Sequence, residues 1–140
     1  MSEAKAKILF VDDDAFLRKV YQAELTDHGY QVSLAADGEE GLEKAQLEDP
    51  DLIILDMIMP KKSGFEVLTE LQHNPKTHNI PVVILSNLAQ ENDRKKGIDL
   101  GAVDYLKKDS ITLDLLVDKV SQYLNSKTQS KQAKNNNHNS

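Results

Sequence analysis

Short apolar runs alternate along this chain with segments in which apolar residues recur at helical spacing, and the alternation repeats five times. Continuous apolar runs bounded by polar residues are typical of strands buried on both faces of a parallel sheet. We therefore predict strands at 7–11, 31–35, 51–55, 81–85 and 104–106.

The intervening segments predict five helices, at about 14–28, 39–48, 64–73, 90–100 and 112–125. In the first helix the spacing predicts a buried face of Phe16, Val20 and Ala23, with Leu17, Tyr21 and Leu25 beside it. In the second helix it predicts burial of Leu42 and Ala45, with Leu47 as a further candidate. The fourth helix is mostly polar, so we expect it to be loosely packed and mobile.

Strands that alternate with helices imply right-handed crossovers and a parallel sheet covered on both sides. The predicted fold is an α/β, doubly wound (βα)5, flavodoxin-like three-layer sandwich with strand order 2-1-3-4-5. In that order the first and third strands are neighbours, and ligands bind at the crevice outside their carboxyl ends.

Composition predicts one folded domain and a tail. Of the 140 residues, 39% are hydrophobic and 29% are charged, as in an ordinary soluble domain, which we place at 1–125. Segment 126–140 has Ala133 as its only apolar residue and is predicted to be a disordered polar tail. The absence of cysteine excludes disulfides and thiol catalysis, and it fits a cytoplasmic location.

The charge of the chain limits its partners. The net charge is −6, and because the tail contributes three lysines, the remainder carries −9. This acidity argues against direct nucleic-acid binding, and no apolar run is long enough for a membrane span. A body this acidic needs a local cation if it is to attract a phosphoryl group.

Candidate chemistry begins where two apolar runs end in aspartate. The first run leads into Asp12, Asp13 and Asp14, and the third leads into Asp56. Crowded carboxylates repel one another unless a cation intervenes, and Mg²⁺ prefers such oxygen ligands. Asp12 and Asp13 are the candidate metal ligands, Asp56 can accept a phosphoryl group as an acyl phosphate, and Asp14 is expected to cap the first helix.

Two further polar features lie at the same predicted sheet edge. Ser86 follows the fourth strand, where its hydroxyl either donates to a phosphoryl oxygen or simply caps a loop. Lys107 and Lys108 end the fifth strand and supply a cation, although the strand is too short for alternation to show which of them turns inward.

With these motifs the chain resembles the receiver domain of bacterial two-component response regulators, including the single-domain chemotaxis type. The resemblance spans about 5–124. It rests on four separated motifs: Val11-Asp12-Asp13, the run Leu55 to Pro60 with Gly64 four residues on, Ile84-Leu85-Ser86, and the run Gly101 to Lys108.

The resemblance implies a Mg²⁺ site and a phosphorylation site. Asp56 would be phosphorylated by a sensor histidine kinase or a histidine phosphotransfer protein. Asp13, Asp56 and the backbone carbonyl of Ile58 would bind Mg²⁺, with Asp12 acting through water. Such a protein is a regulator and not an enzyme, with at most self-phosphorylation and slow autodephosphorylation.

The resemblance also implies a way to report phosphorylation. Ser86 and Lys108 would contact phosphoryl oxygens, and Tyr105 would turn inward as Ser86 moves. The face formed by helix 4, strand 5 and helix 5 would then control a partner protein or pass phosphate on in a relay. The protein would be a monomer or a weak phosphorylation-dependent dimer.

Some positions depart from the family pattern. Asp109 stands where proline commonly follows the lysine, and Asn87 stands where alanine or glycine follows the hydroxyl residue. Ile58 and Leu88 are apolar at variable positions that flank the site, so we hypothesise that they hinder water and prolong the life of the acyl phosphate.

Two alternative functions fit less well. A phosphatase of the haloacid dehalogenase type needs a second acid two residues after the nucleophile, where this chain has Ile58. A flavodoxin-like electron carrier needs a hydroxyl-rich loop after the first strand and aromatic residues for the flavin. This chain has acids at that loop and only 5% aromatic residues.

Overall fold

A single five-stranded parallel sheet forms the centre of the protein in the computed structural model, which describes residues 6–88 and 90–137, with side chains as far as residue 125. The strands are β1 (Lys7–Val11), β2 (Gln31–Ala35), β3 (Leu52–Leu55), β4 (Val82–Ser86) and β5 (Asp104–Lys107). Their order is β2-β1-β3-β4-β5, and every neighbouring pair is parallel. The predicted fold class is confirmed.

Helices cover both faces of this sheet. They are α1 (Ala15–Asp27), α2 (Gly38–Glu48), α3 (Gly64–His73), α4 (Glu91–Asp99) and α5 (Leu113–Asn137). Because side chains alternate along a strand, Leu9 and Val11 pack in one core with residues of α2 and α3, whereas Ile8 and Phe10 pack in another with residues of α1 and α5. The three layers therefore enclose two hydrophobic cores.

Residues flanking α1 set both of its ends. The Asp14 carboxylate caps α1 by accepting from Phe16 N at 2.9 Å and Leu17 N at 3.1 Å, as predicted. Gly29 follows this helix with φ 94°, a conformation that glycine adopts without strain. Asp14 therefore has a structural task distinct from that of its acidic neighbours.

The burial predicted for three apolar helix residues is wrong. The exposed ones are Phe16 at 73%, Leu47 at 75%, and Ala23. In α1 the buried stripe runs through Tyr21 and Leu25, and at about 100° per residue Phe16 lies roughly 140° around the helix from Tyr21. Leu47 lies on the side of α2 opposite the buried Ala45 for the same reason.

The last helix differs from its predicted length. α5 continues to Asn137, past the predicted end at about residue 125. The side chains after residue 125 lie outside the described residues, so the predicted division into a domain and a disordered polar tail stays a prediction. In the described part of the chain, no helix combines the length and apolar character needed to cross a membrane.

Candidate functional site

The carboxyl ends of β1 and β3 place two aspartates side by side. Val11 pairs with Leu55 in the parallel register, so Asp12 and Asp56 follow directly opposed residues. The Asp56 backbone N–H donates to the Val11 carbonyl at 3.0 Å, which fixes this step between the strands. The acids therefore meet because the sheet order makes β1 and β3 neighbours.

Asp13 completes an acidic cluster with these two residues. One carboxylate oxygen from each of Asp12, Asp13 and Asp56 lies within 4.8 Å of the others. Asp12 and Asp56 are buried, whereas Asp13 is exposed. The cluster therefore has an open side from which an ion can enter.

Lys108 is the cation that reaches into the cluster. Its Nζ lies 2.6 Å from Asp12 Oδ2 and 3.2 Å from Asp56 Oδ2, and its side chain is 11% exposed. The side chain of Lys107 is 53% exposed and lies beside Asp109 at 3.9 Å. The structure thus resolves the alternative between the two lysines, and Lys108 is the one that turns inward.

The ionisation of this site reflects its burial. Burial raises the pKa of Asp12 above the ordinary 3.8, although Lys108 and the Asp14 N–H act in the opposite direction. For Lys108, burial acts to lower the pKa, but the neighbouring carboxylate of Asp12 and then that of Asp56 outweigh it and raise the pKa above 10.5. Lys108 is therefore held as an ammonium.

The donor set fits a hard divalent cation. Asp12 Oδ2 has no hydrogen bond among the described residues despite being buried, because Lys108 approaches it as an ion pair without the geometry of a directed hydrogen bond. Carboxylate oxygens are the ligands that Mg²⁺ prefers. Ile58 lies beside the cluster, since its backbone N–H donates to Asp56 Oδ1 at 3.3 Å. A metal-binding role for the Ile58 carbonyl stays a prediction.

Ser86 and Tyr105 hold the same backbone segment. Ser86 is fully buried, and its Oγ accepts from the Leu88 N–H at 3.2 Å. Tyr105 is also buried, and its hydroxyl donates to the Leu88 carbonyl. Tyr105 therefore already points inward, and the backbone N–H and carbonyl of Leu88 both bond to residues that the sequence singled out.

Sequence reasoning missed two residues that contact the site or its neighbouring face. Arg18 Nη1 donates to the Asp12 backbone carbonyl at 2.8 Å, and the Tyr123 hydroxyl donates to Asp104. Burial, followed by the Asp104 hydrogen bond, raises the pKa of Tyr123 to about 12. Neither contact follows from a sequence period, because each joins a helix to a residue outside that helix.

Comparison with known proteins identifies a family. The family model for the response regulator receiver domain matches residues 8–121. The probable transcriptional regulator ycf27 of Cyanophora paradoxa is 45% identical over 104 residues, which are 74% of this chain and 42% of that protein. Response regulator RR06 of Streptococcus pneumoniae is 43% identical over 113 residues, which are 81% of this chain and 50% of that protein.

A solved structure shows the same likeness in three dimensions. The chemotaxis protein CheY4 of Vibrio cholerae superposes with a TM-score of 0.80 at 32% identity, and the match covers 86% of this chain and 99% of that one. By contrast, this chain spans half or less of the length of the two curated relatives.

Proposed function

Since the chain belongs to the response regulator receiver domain family, we propose that it is a phosphoacceptor switch in which Asp56 takes a phosphoryl group from a phosphohistidine. The donor would be a sensor histidine kinase or a histidine phosphotransfer protein. The observation that carries the proposal is the position of Lys108 Nζ, which contacts both buried carboxylates at one edge of the sheet.

The transfer is an in-line displacement. An Asp56 carboxylate oxygen attacks the phosphorus and forms the new O–P bond, while the P–N bond to the donor imidazole breaks and that nitrogen keeps the bonding pair. Asp12, Asp13 and Asp56 would hold Mg²⁺, which when bound supplies charge neutralisation to the phosphoryl oxygens. Lys108, which contacts Asp12 and Asp56, would contribute its ammonium to the same oxygens.

Ser86 connects this chemistry to the surface. Its Oγ now accepts from the Leu88 N–H, and its O–H would donate to a phosphoryl oxygen on Asp56 and draw the side chain toward it. Movement of Ser86 would alter the segment that Tyr105 holds through the Leu88 carbonyl. The response is then a shift in population of the face formed by α4, β5 and α5.

The output of the switch is part of the same proposal. The shifted face would control a downstream protein partner or support transfer of phosphate onward, with the protein a monomer or a weak phosphorylation-dependent dimer. The predicted cytoplasmic location and the absence of direct nucleic-acid binding remain predictions.

Intact mass after incubation with acetyl phosphate or phosphoramidate and Mg²⁺ tests the proposal. We expect a gain of one phosphoryl mass that is lost in Asp56→Asn and in EDTA. Asp14→Asn is the matched control, because it makes the same chemical change in an acid outside the cluster and keeps a capping oxygen. Lys108→Met should greatly slow the gain, whereas Lys107→Met should not. Equal mass gain in wild type and Asp56→Asn would contradict the proposal.

A further inference from the structure

Arg18 makes a contact that the proposed phosphotransfer does not explain. It lies in the first turns of α1, where its own N–H donates to the Asp14 carbonyl at 3.0 Å. Its side chain is half-buried and turns back toward the end of β1, where Nη1 donates to the Asp12 carbonyl at 2.8 Å. The Arg18 guanidinium thus binds the backbone at the end of β1, and the acceptor of this bond is a carbonyl and not a carboxylate.

The peptide bond that Arg18 holds is the one that leads into Asp13. The Asp12 carbonyl and the Asp13 N–H belong to one planar unit, so fixing that oxygen fixes the direction in which the chain enters Asp13. The next peptide unit is also held, because the Asp14 N–H donates to Asp12 Oδ1 at 2.9 Å. Both peptide planes that flank Asp13 are therefore anchored.

This anchoring matters because Asp13 is exposed. A side chain at the open edge of a site is ordered mainly by the backbone that carries it, whereas the buried Asp12 and Asp56 are also held by packing and by Lys108. We infer that Arg18 is a positioning residue that pre-organises Asp13 for Mg²⁺ by fixing the Asp12–Asp13 peptide plane. The inference rests on the proposed metal-dependent function.

The sign of the mutational effect separates this role from a simple charge effect. Arg18 is a cation near a cation site, so loss of its charge alone would strengthen Mg²⁺ binding. Loss of a positioning contact weakens binding, and partners that orient metal ligands typically contribute 10–100-fold to metal affinity. Arg18→Met should therefore weaken Mg²⁺ binding by about tenfold or more.

Isothermal titration of the metal-free protein with Mg²⁺ measures this effect directly. Lys19→Met is the matched control, because it removes the same charge from an exposed neighbour on α1. It should leave the affinity unchanged or slightly higher. Arg18→Lys keeps the charge and one donor, so it should recover part of the affinity that Arg18→Met loses. In phosphorylation assays, Arg18→Met should raise the half-saturating Mg²⁺ concentration and leave the rate at saturating Mg²⁺ nearly unchanged.

Urea unfolding in EDTA provides the stability reference. A folded Arg18→Met protein with weakened Mg²⁺ binding supports the positioning role. If Arg18→Met is too unstable, Arg18→Lys should still bind more weakly than wild type and gain less stability from added Mg²⁺. Affinity equal to or tighter than wild type in both variants would overturn the inference alone. Failure of the wild type to bind Mg²⁺, or binding that Asp13→Asn leaves intact, would overturn the proposed metal site as well.

Discussion

At the scale of single residues, the site consists of buried carboxylates compensated by one ammonium. Asp12 shows the cost of this arrangement, because burial disfavours its charged form even with Lys108 at 2.6 Å. In the metal-free protein the ionised form of Asp12 is therefore disfavoured, and a bound divalent cation would stabilise it. The sequence identified these acids. The strand pattern could not choose Lys108 over Lys107, because that choice depends on how the chain turns after β5, and only the family resemblance indicated Lys108.

Asp12 should make the stability of the metal-free protein depend on pH. Its folded pKa is raised above 3.8, so the folded state binds this proton more tightly than the unfolded chain. The contribution of Asp12 to the free energy of unfolding should therefore fall as pH rises from about 3.8 through the raised folded pKa. Urea unfolding in EDTA across this range checks the slope.

Asp12→Asn is the informative variant for this pH dependence. It removes the titrating group, so the difference in unfolding free energy between variant and wild type should grow in favour of the variant as pH rises through the window. A difference that stays constant with pH would refute the raised pKa.

The apolar residues beside the site should control the lifetime of the acyl phosphate. Ile58 is 59% exposed at the cluster, and Leu88 is partly buried against the core. The substitutions Ile58→Asn and Leu88→Glu should each admit water to the site and orient it. We expect the acyl phosphate to decay about tenfold faster, which corresponds to an activation free energy lower by ~1.4 kcal/mol. The loss of phosphoprotein mass with time measures the decay.

Leu47→Asn is the control for this experiment, since it changes an exposed apolar residue on the outer side of α2. Decay at the wild-type rate in all three variants would show that Ile58 and Leu88 do not exclude water.

At the scale of elements, apolar runs predicted β1, β3 and β4 closely because a strand buried on both faces has little choice of residue. Helix interiors were harder to predict. A helical stripe covers only part of the circumference, so one apolar residue off the stripe, such as Phe16 or Leu47, is easily assigned to the core. The fourth helix was predicted at nearly its observed bounds, and Gly97 is the buried residue among its described members. Its mobility stays a prediction.

Gly64 should be required for the close approach of α3 to the site. A Cβ atom there would lie 2.3 Å from the Asp56 carbonyl oxygen, and this backbone cannot move aside without displacing Asp56, the proposed phosphoacceptor. Gly64→Ala should therefore lower the free energy of unfolding by about 1–3 kcal/mol and slow phosphorylation. Urea unfolding and the intact-mass assay measure the two effects.

Gly97→Ala offers a matched comparison in another helix. The nearest atom to a Cβ at that position is the terminal methyl carbon of Ile84 at 2.5 Å, at the flexible end of a side chain. Alanine also gains about 1 kcal/mol of helix propensity, so Gly97→Ala should be less destabilising than Gly64→Ala. The reverse order would contradict this account of the two contacts.

At the scale of the whole molecule, β-α alternation was sufficient to predict the sheet order and hence which strand ends meet. It was not sufficient to predict contacts that cross between elements without a sequence period. Arg18 is one example, because no pattern in α1 indicates that its side chain reaches the Asp12 carbonyl. Tyr123 is another, since its bond to Asp104 joins α5 to β5.

Segment 126–140 should contribute little to the stability of the domain. Leu124 is the last apolar residue of α5 described as buried, and the segment after it contains Ala133 as its only apolar residue. Deletion of 126–140 should change the free energy of unfolding by less than ~0.5 kcal/mol. Leu124→Ala, which truncates a core side chain, should lower it by about 2–5 kcal/mol. A comparable loss in the deletion variant would place the domain boundary later in the chain.

The reach of Lys108 to Asp12 has a consequence for the order of events during protein synthesis. The chain emerges from its amino end, so both Asp12 and Asp56 are made well before the lysine that neutralises them. Until β5 has been added to the edge of the sheet, the two carboxylates have no ammonium between them. The proposed phosphoacceptor site is therefore completed only when β5 and Lys108 are in place. A nascent chain that stops short of Lys108 would have the carboxylates without the ammonium that the proposed phosphoryl transfer uses.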